Sequence, residues 1–134
     1  MSDFRPLSAQ FSVAPQIGIE DVAEAKAQGF ALVINNRPDG EEPGQPSDEE
    51  IGRAAEFAGM SYFSAPYQGR PTAEAVAMVQ HVLRGPDQQI HAFCRSGMRS
   101  CAAWAVAQVQ AGEPVDEIIG VGREAGYDLA PLFF

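Results

Sequence analysis

The run Cys94-Arg95-Ser96-Gly97-Met98-Arg99-Ser100 directly follows the apolar residues Ile90, Ala92 and Phe93. A cysteine leaving a strand, a short glycine-containing loop and an arginine opening a helix together form an anion cradle. Loop amides and the helix N-terminus turn their N–H groups inward, where partial positive charge favours an anion. The same field acts on sulfur: cysteines at such corners fall from a free pKa of about 8.5 to roughly 3.5–7.5. One segment therefore offers a nucleophile and an oxyanion receptor.

Cys94 and Arg99 are the expected catalytic pair, since a five-donor guanidinium fork suits a tetrahedral oxyanion. A cation in the first turn of a helix opposes the macrodipole, a misfit that a bound anion relieves. Arg95, Ser96, Gly97, Met98 and Ser100 complete the expected substrate cradle. Gly97 permits the backbone to turn inward. Ser96 and Ser100 either donate to the sulfur or the anion, or cap the helix. Arg95 either reaches the anion or faces solvent. Cys101 is either a small buried residue or a thiol that resolves an oxidised Cys94.

The elements that hold this loop follow from apolar patterning. Strands are expected at Phe11 to Val13, Phe30 to Asn35, Met60 to Ala65 and Gln89 to Phe93. Helices are expected at Ile19 to Gln28, from the Ser47/Glu50 capping box to Ala58, from Thr72 to Arg84, from Met98 to Ala111, and from Pro114 to Ala125. Alternating strands and helices predict a three-layer α/β domain, residues 1–134, with a mainly parallel central sheet flanked by helices. Ligands of such sheets bind at the carboxyl ends of strands. The exits Asn35 to Arg37, Pro66 to Gly69 and Cys94 to Arg99 should therefore converge. Arg37 then adds a second positive contact or holds the loop through a carboxylate.

The chain has 134 residues, 46% hydrophobic and 20% charged, enough for one ordinary folded domain. Its net charge of −9 argues against nucleic acid or an anionic membrane as partner. No apolar run approaches the length needed to cross a bilayer. The N-terminus lacks a basic-then-apolar leader pattern, so a cytoplasmic setting is expected. Two cysteines on adjacent turns read as free thiols rather than a disulfide framework. No metal-ligand spacing is present, and neither metal nor cofactor is expected.

The residues carry a resemblance. Gln16-Ile17, the segment Asn36-Arg37-Pro38-Asp39-Gly40-Glu41, Gly44-Gln45-Pro46, the Cys94–Ser100 loop and Ala125-Gly126-Tyr127-Asp128 resemble the phosphatase-like domain of the β-lactamase-hydrolase-like family. That domain is found alone or fused to metallo-β-lactamase-fold hydrolases, and its members are variously called phosphatase-like or sulfurtransferase. The resemblance implies a cysteine-dependent dual-specificity-phosphatase fold, with Cys94 as nucleophile and Arg99 as anion ligand. Three departures from true phosphatases stand out. Four residues, not five, separate Cys94 from Arg99, as in the shorter loop of the rhodanese sulfurtransferases. Phe93, not His, precedes the cysteine. The loop expected to carry a proton donor reads Pro66-Tyr67-Gln68-Gly69-Arg70, without a carboxylate.

Ester hydrolysis benefits about 10²–10⁴-fold from a general acid. Asp39, Glu41 or Glu42 would serve if their loop folds over Cys94. Sulfur transfer needs no acid: Cys94 attacks the outer sulfur of thiosulfate, sulfite leaves, and a persulfide remains for a thiol acceptor or a sulfur-metabolism enzyme. Loop length and the missing acid thus favour a rhodanese-like sulfurtransferase acting on a small anion. A cysteine-dependent phosphatase of phosphate monoesters is the alternative, and a non-catalytic thiol, redox or anion sensor is the third reading.

Overall fold

A computed structural model describes residues 3–134. Five strands form one sheet in the order β1-β2-β5-β3-β4, where β1 is Arg5–Pro6, β2 Phe11–Ala14, β3 Phe30–Asn35, β4 Ser61–Ser64 and β5 Gln89–Phe93. Only β1 runs antiparallel; β2, β5, β3 and β4 pair in parallel. The two-residue β1 is an addition to the expected strands. Its Pro6 fits an edge position, where a missing N–H costs no ladder bond.

Alternation along the strands feeds two cores. Ile90 and Ala92 of β5 and Leu32 and Ile34 of β3 face α3 (Ala73–Arg84), α4 (Met98–Gln110) and α5 (Val115–Glu124). Val33 and Phe93 face α1 (Ile19–Ala27) and α2 (Asp48–Phe57). Because both faces are covered, β3 and β5 are almost continuously buried, as parallel strands require. The capping box closes as expected: Glu50 N–H donates to Ser47 Oγ at 3.1 Å and Ser47 N–H to Glu50 Oε1 at 3.0 Å.

His91 occupies the α1/α2 side of β5, fully buried against the rings of Phe4 (4.4 Å between centroids) and Phe30 (5.3 Å). Neither ring nitrogen has a hydrogen-bond partner, and burial lowers its pKa to about 4, against a small opposing pull from Asp21. The folded pKa lies below the unfolded value of about 6.5. His91 is therefore neutral at no cost above that value, and stability is lost as pH falls from 6.5 toward 4. At pH 5 the loss should be about 2 kcal/mol relative to pH 7. Urea unfolding of the wild type and His91→Leu at both pH values measures it: the loss should shrink by that amount in the variant.

Backbone hydrogen bonds continue past the strand ends and bring the exits together. Asn36 N–H donates to Phe93 O at 2.9 Å, Cys94 N–H to Ala14 O at 3.3 Å, and Gln16 N–H to Arg95 O at 3.2 Å. Ala65 N–H donates to Asn35 O at 2.8 Å, and Tyr67 N–H to Asn36 O at 3.3 Å. The exits of β2, β3, β4 and β5 are thereby tied into one edge, directly above which α4 begins.

Candidate active site

Cys94 is the first residue beyond β5, and its side chain is fully buried, yet it belongs to neither hydrophobic core. Its Sγ instead accepts a hydrogen bond from Gly97 N–H at 3.1 Å, within the loop. Gly97 makes that bond from φ +95°, in the left-handed region. A Cβ there would lie 2.0 Å from Tyr127 Oη and 3.3 Å from the Ala14 carbonyl carbon, so glycine is dictated by conformation and by space. Tyr127 supports the loop from behind, donating its hydroxyl to Ser96 O at 2.9 Å. Ser96 Oγ accepts from Met98 N–H at 3.2 Å and so helps to turn the chain into α4.

Arg99 lies in the first turn of α4. Its Nη1 donates to Glu41 Oε2 and to Tyr67 O, each at 2.9 Å, and its Nη2 to Glu41 Oε1 at 2.7 Å. The Tyr67 hydroxyl returns a short hydrogen bond to Arg99 O, closing a reciprocal clamp. Glu41 raises the Arg99 pKa above its ordinary value, burial acts against this, and the field of Cys94 adds to the rise. The geometry also apportions the donors. Of the five guanidinium N–H groups, three are used by Glu41 and Tyr67. The Nε–H and one Nη2–H stay together on a single edge, parallel and matched to two oxygens of a tetrahedral anion.

Behind Arg99 stands a second arginine. The Arg37 side chain has 0% exposure and donates from Nε to Glu41 Oε1 at 2.9 Å, from Nη2 to Glu42 Oε1 at 3.0 Å, and from Nη1 to Gln16 Oε1 at 3.0 Å. Gln68 Nε2 completes the shell of Glu41, donating to Oε2 at 2.8 Å. Four donors thus converge on one carboxylate and lower its pKa to about 2, Arg99 foremost, against the opposing effect of burial.

Two expectations need correction on this geometry. Glu41 cannot be a proton donor near neutral pH, because it is held ionised by the guanidinium that it orients. Arg37 cannot touch a substrate, since it is enclosed; it holds the loop through carboxylates. Asp39 is exposed, and its Oδ1 accepts from Asp48 N–H at 2.8 Å, at the start of α2. Arg95 is exposed, with Nη2 3.7 Å from Glu42 Oε2. Met98 is half-buried. Ser100 is buried, and its hydroxyl donates to Asn36 Oδ1 at 2.8 Å, while Asn36 Nδ2 donates to Ala65 O at 3.0 Å. Cys101 packs in the larger core, and burial pushes its thiol up to about 12, so it is a poor resolving nucleophile.

Tyr67, Gln68, Asn36, Gln16 and Tyr127 are contacts that patterning did not assign roles to. An aromatic in a Pro- and Gly-punctuated exit loop, and Asn36 just past a buried strand, are the signals that were available. A surface groove of about 560 Å³ lies elsewhere, between α1 and α2 beside the exposed Phe57, and includes none of these residues.

Residues 3–111 match a family model described as the phosphatase-like domain of Beta-lactamase hydrolase-like protein. The chain belongs to that family. A Beta-lactamase hydrolase-like protein of Agrobacterium fabrum (strain C58 / ATCC 33970) is 33% identical over 125 residues, covering 92% of this chain and 29% of that protein. The phosphatase-like domain thus spans about three tenths of the curated relatives that it matches. A Neisseria meningitidis Z2491 protein, provisionally named a phosphatase, superposes with a TM-score of 0.84 at 28% identity, covering 98% of this chain and 94% of that one. Kinase associated phosphatase shares the fold alone, with a TM-score of 0.74 at 14% identity over 92% and 82% of the two chains. The cysteine-phosphatase architecture is therefore shared across the whole domain. These likenesses favour the phosphatase reading over the sulfurtransferase that loop length suggested; thiosulfate, persulfide and sulfur-metabolism partners find no support in them.

Among the described residues no helix is long and apolar enough to cross a membrane.

Proposed function

We propose that the phosphatase-like domain hydrolyses phosphate monoesters through a phosphocysteine on Cys94. The observation that supports this reading is the division of Arg99: Glu41 and Tyr67 fix one side of the guanidinium and leave its Nε–Nη2 edge unspent, a pair of donors suited to two phosphoryl oxygens. Cys94 attacks phosphorus; the S–P bond forms as the ester P–O bond breaks, and charge on the non-bridging oxygens meets Arg99 and the first amides of α4. Water then attacks the phosphocysteine, releasing inorganic phosphate and restoring the thiolate. No metal or cofactor enters the scheme, and the setting is cytoplasmic, with both cysteines free.

Intact mass measured after rapid acid quench from an aryl phosphate tests this. A phosphoryl-sized gain on the wild type, absent in Cys94→Ser together with all turnover, is the expected result. A sulfur-sized gain from thiosulfate, with no phosphoryl gain, would restore the sulfurtransferase reading instead.

A further inference from the structure

We infer that the site gives the leaving group no proton, and that it is therefore selective for phosphate esters of aryl alcohols over those of alkyl alcohols. This rests on the phosphatase reading and specifies its substrate class. Among the described residues, the carboxylates of the Asn36–Glu42 segment and the Tyr67 phenol each already hold other partners. Glu41 spends both oxygens on Arg99, Arg37 and Gln68, and is ionised far below neutral pH. The hydroxyl of Tyr67 is turned to Arg99 O, and burial pushes its pKa well above the usual phenol range, so its proton is both engaged and hard to release. Glu42 lies between Arg37 and Arg95, with Oε1 on the first and Oε2 facing the second. Asp39 is turned to the N-terminus of α2. Gln68, the residue after Tyr67, carries an amide rather than an acid, and that amide is fastened to Glu41.

This loop is also not poised to swing another group in. Ala65 and Tyr67 bond by their amides to Asn35 O and Asn36 O, and Arg70 Nη2 donates to Leu132 O at 2.9 Å. These bonds hold the loop at Ala65 and Tyr67 through the backbone and at Arg70 through an exposed side chain. In the first step, then, the Cys94 thiolate displaces the ester oxygen, which takes the P–O electron pair and departs as its anion. Solvent water protonates it afterwards. A phenolate can leave this way because phenols ionise near pH 10. An alkoxide is a far worse anion, and a general acid would otherwise recover about 10²–10⁴-fold.

The test is a leaving-group series on the whole chain, from nitrophenyl phosphates through phenyl phosphate to an alkyl phosphate, with kcat/KM read for each. Turnover should fall steeply and continuously as the leaving group becomes more basic, with the alkyl ester at least about 10²-fold below phenyl phosphate. Glu42→Gln and Asp39→Asn should leave that slope unchanged. A shallow slope in the wild type that steepens in either variant identifies that carboxylate as the acid and overturns the inference, while the phosphatase reading survives. Failure to turn over even the nitrophenyl ester, with no label on Cys94, removes the phosphatase reading and this inference together.

Discussion

Replacing Arg99 with lysine is expected to lower kcat/KM for an aryl phosphate by about 10²–10³-fold while the protein stays folded. The charge is retained, so any loss reports geometry. A lysine ammonium is a point donor and cannot present two parallel N–H groups to two phosphoryl oxygens. Nor can it span both oxygens of Glu41 while reaching Tyr67 O, so the clamp on the loop opens as well. A loss below about 10-fold would mean that net charge, not the fork, binds the anion.

Glu41 acts through that fork, and its effect should be dependent on it. Glu41→Gln keeps the side-chain shape but turns one acceptor into an amide donor that faces the donors of Arg99. The guanidinium is then free to rotate, and kcat should fall by about 10-fold with little change in KM, the pattern of an interaction needed chiefly in the transition state. In Arg99→Lys the same second change should cost much less, because nothing remains for Glu41 to aim. Full additivity of the two losses would remove Glu41 from the positioning role.

That role marks where reading the sequence stops. The loop itself was legible: Cys94, Gly97 and Arg99 have few other reasons to be spaced as they are, and the alternation of strands and helices placed them at a strand exit. The helix ends at Ser47 and Thr72 were legible because caps are local chemistry. Glu41 was visible only as a carboxylate near the right edge, equally suited to give a proton or to hold an arginine. Which it does depends on where Arg37 and Arg99 point, from segments 62 residues apart. Ser100 was open for the same reason: a hydroxyl beside a thiol loop donates to whatever lies within reach, and here that is Asn36. Loop length, a single number, points to the sulfurtransferase, whereas family membership draws on residues 3–111 together and favours the phosphatase reading.

Arg37→Met should destabilise the domain by about 3 kcal/mol, near the lower end for removing one partner of a buried ion pair. The aliphatic stem is nearly replaced, so the loss isolates the guanidinium. Its three side-chain partners do not suffer equally. Glu41 keeps Arg99 and Gln68, and Glu42 is 45% exposed and can turn to water. Gln16 Oε1 loses its only described donor, and the cavity left by a fully enclosed fork is polar and lined with acceptors. For a chain of this size the shift in Tm is about 10 °C. Glu42→Gln, at the exposed end of the same network, should cost less than about 1 kcal/mol. Equal losses in the two variants would show that Arg37 is held by surface charge alone; a near-neutral Arg37→Met would show that the Asn35–Glu42 segment keeps its place without it, and Arg99 with it.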